Sequence, residues 1–163
     1  MPKRPARNVT DHPGEAVADR VKIARLTARD LPDLIDLYQQ LQPTQADPRR
    51  TRAAFARIRR RRHQVFLGAH HAGRLVGTVL AVTCQMLYGP CRSFAVVEDV
   101  VVAERHRGHG IGTALMAAIE HWAQDRDCSY IMLMTDHDRP RSRRFYAGLG
   151  YEHRPYVGFK KRL

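Results

Sequence analysis

Carboxylates are scarce in this chain: 16 Asp and Glu stand against 28 Lys and Arg, for a formal net charge of +12 over 163 residues. A field of that sign attracts phosphates, nucleic acid or an acidic partner, but it does not choose among them. Cysteine is rare as well. Cys84, Cys91 and Cys128 form no CxxC pair, which points to a reducing, cytoplasmic setting; a Cys84–Cys91 bridge across a hairpin is the alternative. No run of about 18 apolar residues occurs, so no membrane span is expected. The basic residues near the start are followed by no apolar core, which is not the pattern of a signal peptide. HExxH is absent, and His106 and His109, spaced by three, lack a nearby acidic third ligand, so no metal is expected.

What is present suits one globular domain, with 44% hydrophobic residues. Residues 1 to 20, rich in Pro, Gly and charge, read as a flexible basic tail in which Lys3, Arg4 and Arg7 could touch nucleic acid; 21 to 163 read as one domain. Val21 to Leu26 predicts a first strand. Thr27 with Asp30 looks like a helix start, and Leu31, Leu34, Ile35, Tyr38 and Leu41 mark one apolar helix face. A second helix starts at Asp47 and Pro48, a capping side chain before a proline suited to the first turn. Phe55 and Ile58 anchor it, while Arg49, Arg50, Arg52, Arg57 and Arg59 to Arg62 crowd it. Those arginines form either a solvated face or a patch for a polyanion, and no aromatic interleaving of the single-strand-binding kind accompanies them.

Gln64 to Ala69 and Arg74 to Met86 predict a β-hairpin, with Gly77 inside the second arm marking a close backbone approach. Ser93 to Val102 predicts the next strand. Ile111, Leu115, Ala118, Ile119 and Trp122 share one helical face, Ser129 to Thr135 is a further apolar strand, Asp138 to Gly150 a short helix, and Tyr156 to Phe159 a last edge strand. The order is that of a mixed α/β protein.

The most informative stretch is Val100 to Met116, VVVAERHRGHGIGTALM. A β-branched strand ends at Val102, Gly108, Gly110 and Gly112 follow at alternate positions, and a helix begins. Glycine lets the main chain turn sharply and a ligand approach closely. The first amides of a helix have no internal partner and lie at its positive end. Together they make a phosphate cradle, beside which Arg105 and Arg107 could add charge-assisted bonds. A mononucleotide P-loop needs Lys where Gly112 is followed directly by Thr113, and in a dinucleotide fingerprint the third glycine would come one residue later.

The pattern that fits is (Q/R)-x-x-G-x-(G/A), met by Arg105, Gly108 and Gly110. Here the chain resembles the GNAT superfamily of acetyl-CoA-dependent N-acetyltransferases, over roughly residues 21 to 159. A second motif, F-Y-x-x-x-G-(F/Y), is matched by Phe145, Tyr146, Gly150 and Tyr151. The resemblance implies an α/β fold with a mixed, mostly antiparallel central sheet splayed between its fourth and fifth strands and flanked by helices. It implies acetyl-CoA as co-substrate, held by the main chain of Val100, Val101 and Val102 and by the loop of Arg105, Arg107, Gly108, His109, Gly110, Ile111, Gly112 and Thr113. Many relatives carry Asn seven residues before the motif's Tyr, where this chain has Arg139.

Acetyl transfer to an amine requires that a proton leave the acceptor, that the carbonyl oxygen be stabilised, and that the departing sulfur be protonated. Glu98, on the strand leading to the loop with Val96 and Val100 expected on its side, is the candidate base, activated by desolvation. Tyr146 is the candidate acid. Asp99, Asp136 and Asp138 are candidates to bind a cationic acceptor, which favours a small metabolite or aminoglycoside-like amine. The rivals are an amine on a protein or associated with RNA, and a non-catalytic acyl-CoA or nucleic-acid binding module. Dimers are frequent among similar proteins, so a homodimer is a further expectation.

Overall fold

In the computed structural model, described for residues 21–41, 47–154 and 156–162, five strands form one sheet in the order β1-β2-β3-β4-β5. The tail predicted for residues 1–20 lies outside these residues. The strands are β1 (Lys22–Arg25), β2 (Gln64–His71), β3 (Arg74–Gln85), β4 (Ser93–Val102) and β5 (Cys128–Leu133). The helices are α1 (Leu31–Leu41), α2 (Pro48–Ile58), α3 (Ile111–Gln124) and α4 (Pro140–Gly148). Neighbouring strands are antiparallel except β4 and β5, which run parallel.

Local chemistry accounts for most boundaries. The Thr27 amide donates to Asp30 Oδ2 at 2.7 Å ahead of α1, and Asp47 Oδ1 accepts from the amides of Arg49 (2.8 Å) and Arg50 (3.2 Å) at the start of α2. The β2–β3 turn holds Ala72 and Gly73 at φ of 49° and 76°, the conformation of a tight hairpin. At Gly77 a Cβ would come 3.1 Å from the Val101 carbonyl and 3.2 Å from Leu115 Cδ1, so the glycine in this strand serves close packing.

The sheet separates two cores. On one face α3 packs Leu115, Met116 and Ile119 against Val65, Val79 and Val97. On the other, Leu34 of α1 and Phe55 of α2 meet Phe66, Leu75 and Val101. The arginines of α2 and its exit, including Arg49, Arg52, Arg57 and Arg62, are exposed.

One latch ties α1 to the sheet. Asp33 accepts from Arg74 Nη2 at 2.6 Å and from the Leu75 amide at 3.0 Å. The Arg74 hydrogen bonds hold the Asp33 carboxyl below its ordinary value, with a further lowering from the Leu75 amide. A depressed carboxylate adds stability above its unfolded pKa and loses it as pH falls through the folded one. Asp33→Asn should therefore lower the melting temperature by roughly 3 °C near neutral pH, with the deficit shrinking below about pH 4. Thermal melts across that range check it.

Tyr156–Phe159 forms no strand, contrary to the sequence pattern. Tyr156, Val157 and Phe159 are 70%, 76% and 91% exposed. Apolar alternation makes a segment able to pair but does not align it with an edge: the outer edge of β5 is open among the described residues, and this segment forms no ladder with it.

Candidate active site

The sheet opens where the loop begins. β5 follows β4 only as far as the Val97–Leu133 pair, whereas β4 continues to Val102. The Ala103 amide donates to the Val76 carbonyl at 2.9 Å. By strand alternation, the amides of Val102 and Val100 then point away from β3, towards the side β5 has left. Their side chains pack on the α3 core, and the Val101 side chain is buried in the other. These three valines can therefore meet a ligand in that gap mainly through their backbone.

A bulge at Asp99 sets this geometry. Leu80 pairs with Glu98 and Thr78 with Val101, so Asp99 and Val100 together oppose one residue, with Asp99 at φ 54°. The extra residue reverses the faces. Ala95 and Val97 point to the α3 core before it, Val100 and Val102 after it. The expected grouping of Glu98 with both Val96 and Val100 is corrected accordingly: Val96 shares its face, and Val100 does not. Glu98 is also exposed, so the desolvation expected around it is not supplied by its strand neighbours.

The loop shapes a cradle through its backbone. Gly108 and Gly110 lie at φ 81° and 73°, and Gly110 is the residue before α3. The first main-chain bond into the helix is from Ala114 to the Gly110 carbonyl, 2.9 Å, and leaves the amides up to Thr113 at its open end. A Cβ at Gly108 would meet nothing within 4 Å. His106 and His109 each bury an Nδ1 without a partner among the described residues. Bare amides and space fit an anionic group such as a diphosphate.

Other expected contacts change character. Arg107 donates from Nε to the Val102 carbonyl at 3.0 Å and pairs with Glu104 at 3.4 Å, so it braces the loop as well as charging it. Ile111 is buried in the core, leaving its main chain for a ligand. A Cβ at Gly112 would come 3.0 Å from the Phe145 ring, so this glycine lets α4 close on α3. Arg105 is exposed and borders a cleft of about 260 Å³ with His71, Arg74 and His106. Burial, then the charge of Arg105 and the nearby His71 and His109, push the His106 imidazole below its ordinary value. Among the described residues no three His, Cys, Asp or Glu converge as a metal-ligand set.

Tyr146 sits on α4, half-buried against the α3 core, its ring 6.0 Å from that of Tyr151. Burial raises its phenol pKa, and the charge of Glu98 raises it further. The phenol is thus protonated at neutral pH and within electrical reach of Glu98. Of the three expected acceptor carboxylates, Asp99 accepts from the Tyr38 hydroxyl at 2.8 Å, and Asp136 pairs with Arg139 at 3.1 Å. Asp138 is exposed. Tyr38, expected only as part of an apolar helix face, is therefore a polar support of the bulge. Burial above all, then Asp99, drives its phenol far upward in pKa. Sixty-one positions separate the pair, and nothing local in the sequence marks it.

Residues 31–151 match the model of the acetyltransferase (GNAT) family. The chain belongs to that family. It is 32% identical over 68 residues to the aminoglycoside N(6')-acetyltransferase type 1 of Serratia marcescens, a match covering 42% of this chain and 47% of that enzyme, about half its length. A putative acetyltransferase from Agrobacterium tumefaciens superposes with a TM-score of 0.81 at 27% identity, over 87% of this chain and 99% of that one. A transcriptional regulator from Bacillus halodurans gives 0.82 at 25%, over 88% and 99%. The GNAT fold accounts for the mixed sheet, its parallel β4–β5 pair and the glycine loop at the mouth of the opening.

Proposed function

We propose that the protein transfers an acetyl group from acetyl-CoA to a primary amine of a small metabolite or aminoglycoside-like acceptor, by direct attack in a ternary complex. The observation that carries this reading is the continuity of β4. One strand holds the Glu98 carboxylate, the outward amides of Val100 and Val102, and the glycine loop that follows. Similarity to an aminoglycoside acetyltransferase supports an amine acceptor.

Acetyl-CoA supplies the acetyl group as a thioester. The amides of Gly108 to Thr113 hold its diphosphate, and the Val100 and Val102 amides align the acyl arm and its carbonyl oxygen. Glu98, directly or through water, takes a proton from the acceptor ammonium. The freed nitrogen lone pair forms the new C–N bond as the C–S bond breaks, and the electron pair leaving with sulfur collects the Tyr146 proton. The product nitrogen loses a proton that returns to the Tyr146 phenolate, and Glu98 releases the proton it took to solvent, which restores the site.

Thiol release across an amine library, run at two salt concentrations, tests the reading. Turnover with small amines that changes little with salt supports it. Turnover confined to protein- or RNA-associated amines, lost steeply with salt, would replace it. Tyr146→Phe should lower kcat by about 10- to 100-fold and leave acetyl-CoA affinity within about twofold. Loss of coenzyme binding instead would reassign Tyr146 to packing.

A further inference from the structure

Three carboxylates near the opening were expected to receive a cationic acceptor, and two of them are already engaged: Asp99 with Tyr38, Asp136 with Arg139. What the sheet presents beside Glu98 is apolar. Val96 pairs with Met132 across the parallel β4–β5 ladder, so Phe94, Val96 and Glu98 share a face with Tyr130 and Met132; Met134 lies just past the end of β5, its Sδ 3.1 Å from where a Cβ on Gly158 would stand. The Phe94 and Tyr130 rings confirm it, stacked at 5.1 Å with 17° between their planes. On the opposite face Ile131 and Leu133 pack into the α3 core.

The second core stops short of this shelf. It covers Leu80, the β3 partner of Glu98, and includes none of the β5 side chains. Tyr130, Met132 and Met134 are 46%, 44% and 52% exposed. Tyr130 and Met132 aligned on the edge strand, with Phe94 stacked on Tyr130 and level with the end of β4 that carries the candidate base, form a binding surface rather than scattered exposed residues.

We infer that the preferred acceptor is a monoamine with an aromatic or long aliphatic body, which lies on the Phe94–Tyr130–Met132 shelf while its amine reaches Glu98. The inference rests on the acetyl-transfer reading and narrows its acceptor class. Met side chains adapt to varied apolar shapes, and the stacked Phe94–Tyr130 pair offers a ring edge or face. The occupant is the acceptor because the shelf is continuous with the candidate base.

The test compares phenethylamine and hexylamine with putrescine and kanamycin, each with saturating acetyl-CoA and thiol release as readout. The two apolar amines should exceed putrescine in kcat/KM by about 10-fold or more, the ratio expected when roughly 60 Å² of apolar surface leaves water. Tyr130→Ala, or Met132→Gln should the first fail to fold, should raise the phenethylamine KM several-fold with an unchanged acetyl-CoA KM and an unchanged molar mass by light scattering. Equal or better turnover of putrescine or kanamycin overturns the inference and leaves the acetyl-transfer reading standing. Binding of acetyl-CoA with no thiol release for any amine overturns both. A change of mass in the Tyr130 variant, with its KM unaltered, assigns the shelf to self-association and overturns the inference alone.

Discussion

Glu98→Gln should lower kcat by about 10²- to 10³-fold, the contribution general base catalysis makes when the acceptor arrives protonated. The amide is nearly isosteric with the carboxylate but accepts no proton at working pH. Glu98 is exposed on its strand, so the exchange leaves no unsatisfied group in the core. The melting temperature and the acetyl-CoA dissociation constant should both stay where they are, and the loss should appear in kcat rather than KM. Circular dichroism, calorimetry and initial rates on one preparation separate these quantities. An unchanged kcat would move the base to another group, and the continuity of β4 would then lose its chemical meaning.

The second large effect is expected at Gly110, where Gly110→Val should weaken acetyl-CoA binding by about 100-fold or more, equivalent to roughly 3 kcal/mol. Two causes act together. At φ 73° a β-branched residue is strained by about 1–3 kcal/mol, so the loop shifts, and the added side chain sits on the N-cap residue next to the open amides of the first turn of α3. Strain alone is controlled by Gly89→Val, at φ 59° in the β3–β4 connection with nothing within 4 Å of its Cβ position. That variant should lose stability and keep coenzyme affinity. Isothermal titration of both proteins decides the matter: equal affinities would remove the loop from coenzyme binding.

These two sites differ in how much of their environment the sequence discloses. The Gly110 neighbourhood is legible because everything it needs is local: a β-branched strand, alternate glycines and the first turn of an amphipathic helix lie within Val100 to Met116. The Asp47 cap, the β2–β3 hairpin and the bounds of β4 are readable for the same reason. Around Glu98 the reading fails by one residue. Strict alternation places Val96, Glu98 and Val100 on one face, and the Asp99 bulge moves Val100 to the other. The bulge is a relation between β3 and β4, and an Asp at positive φ carries no unmistakable local mark.

The carboxylates follow the same rule. Their number and position near the opening are visible in the sequence, but their availability depends on Tyr38 and Arg139, partners brought by the folding of α1 and the β5–α4 loop. Tyr156–Phe159 shows the converse, a segment whose alternation is strand-like but which pairs with no strand among the described residues. By itself the sequence determined the glycine turn before α3, the helix caps and the hairpin, since each follows from the torsional and hydrogen-bonding preferences of near neighbours; the candidate base and acid came from the resemblance to the family and the needs of the chemistry. Only the tertiary structure decided which face Glu98 shares, that Gly112 makes room for Phe145, and that the surface beside the opening is apolar. Those properties come from cross-strand register and side-chain packing between distant segments, which no local pattern fixes.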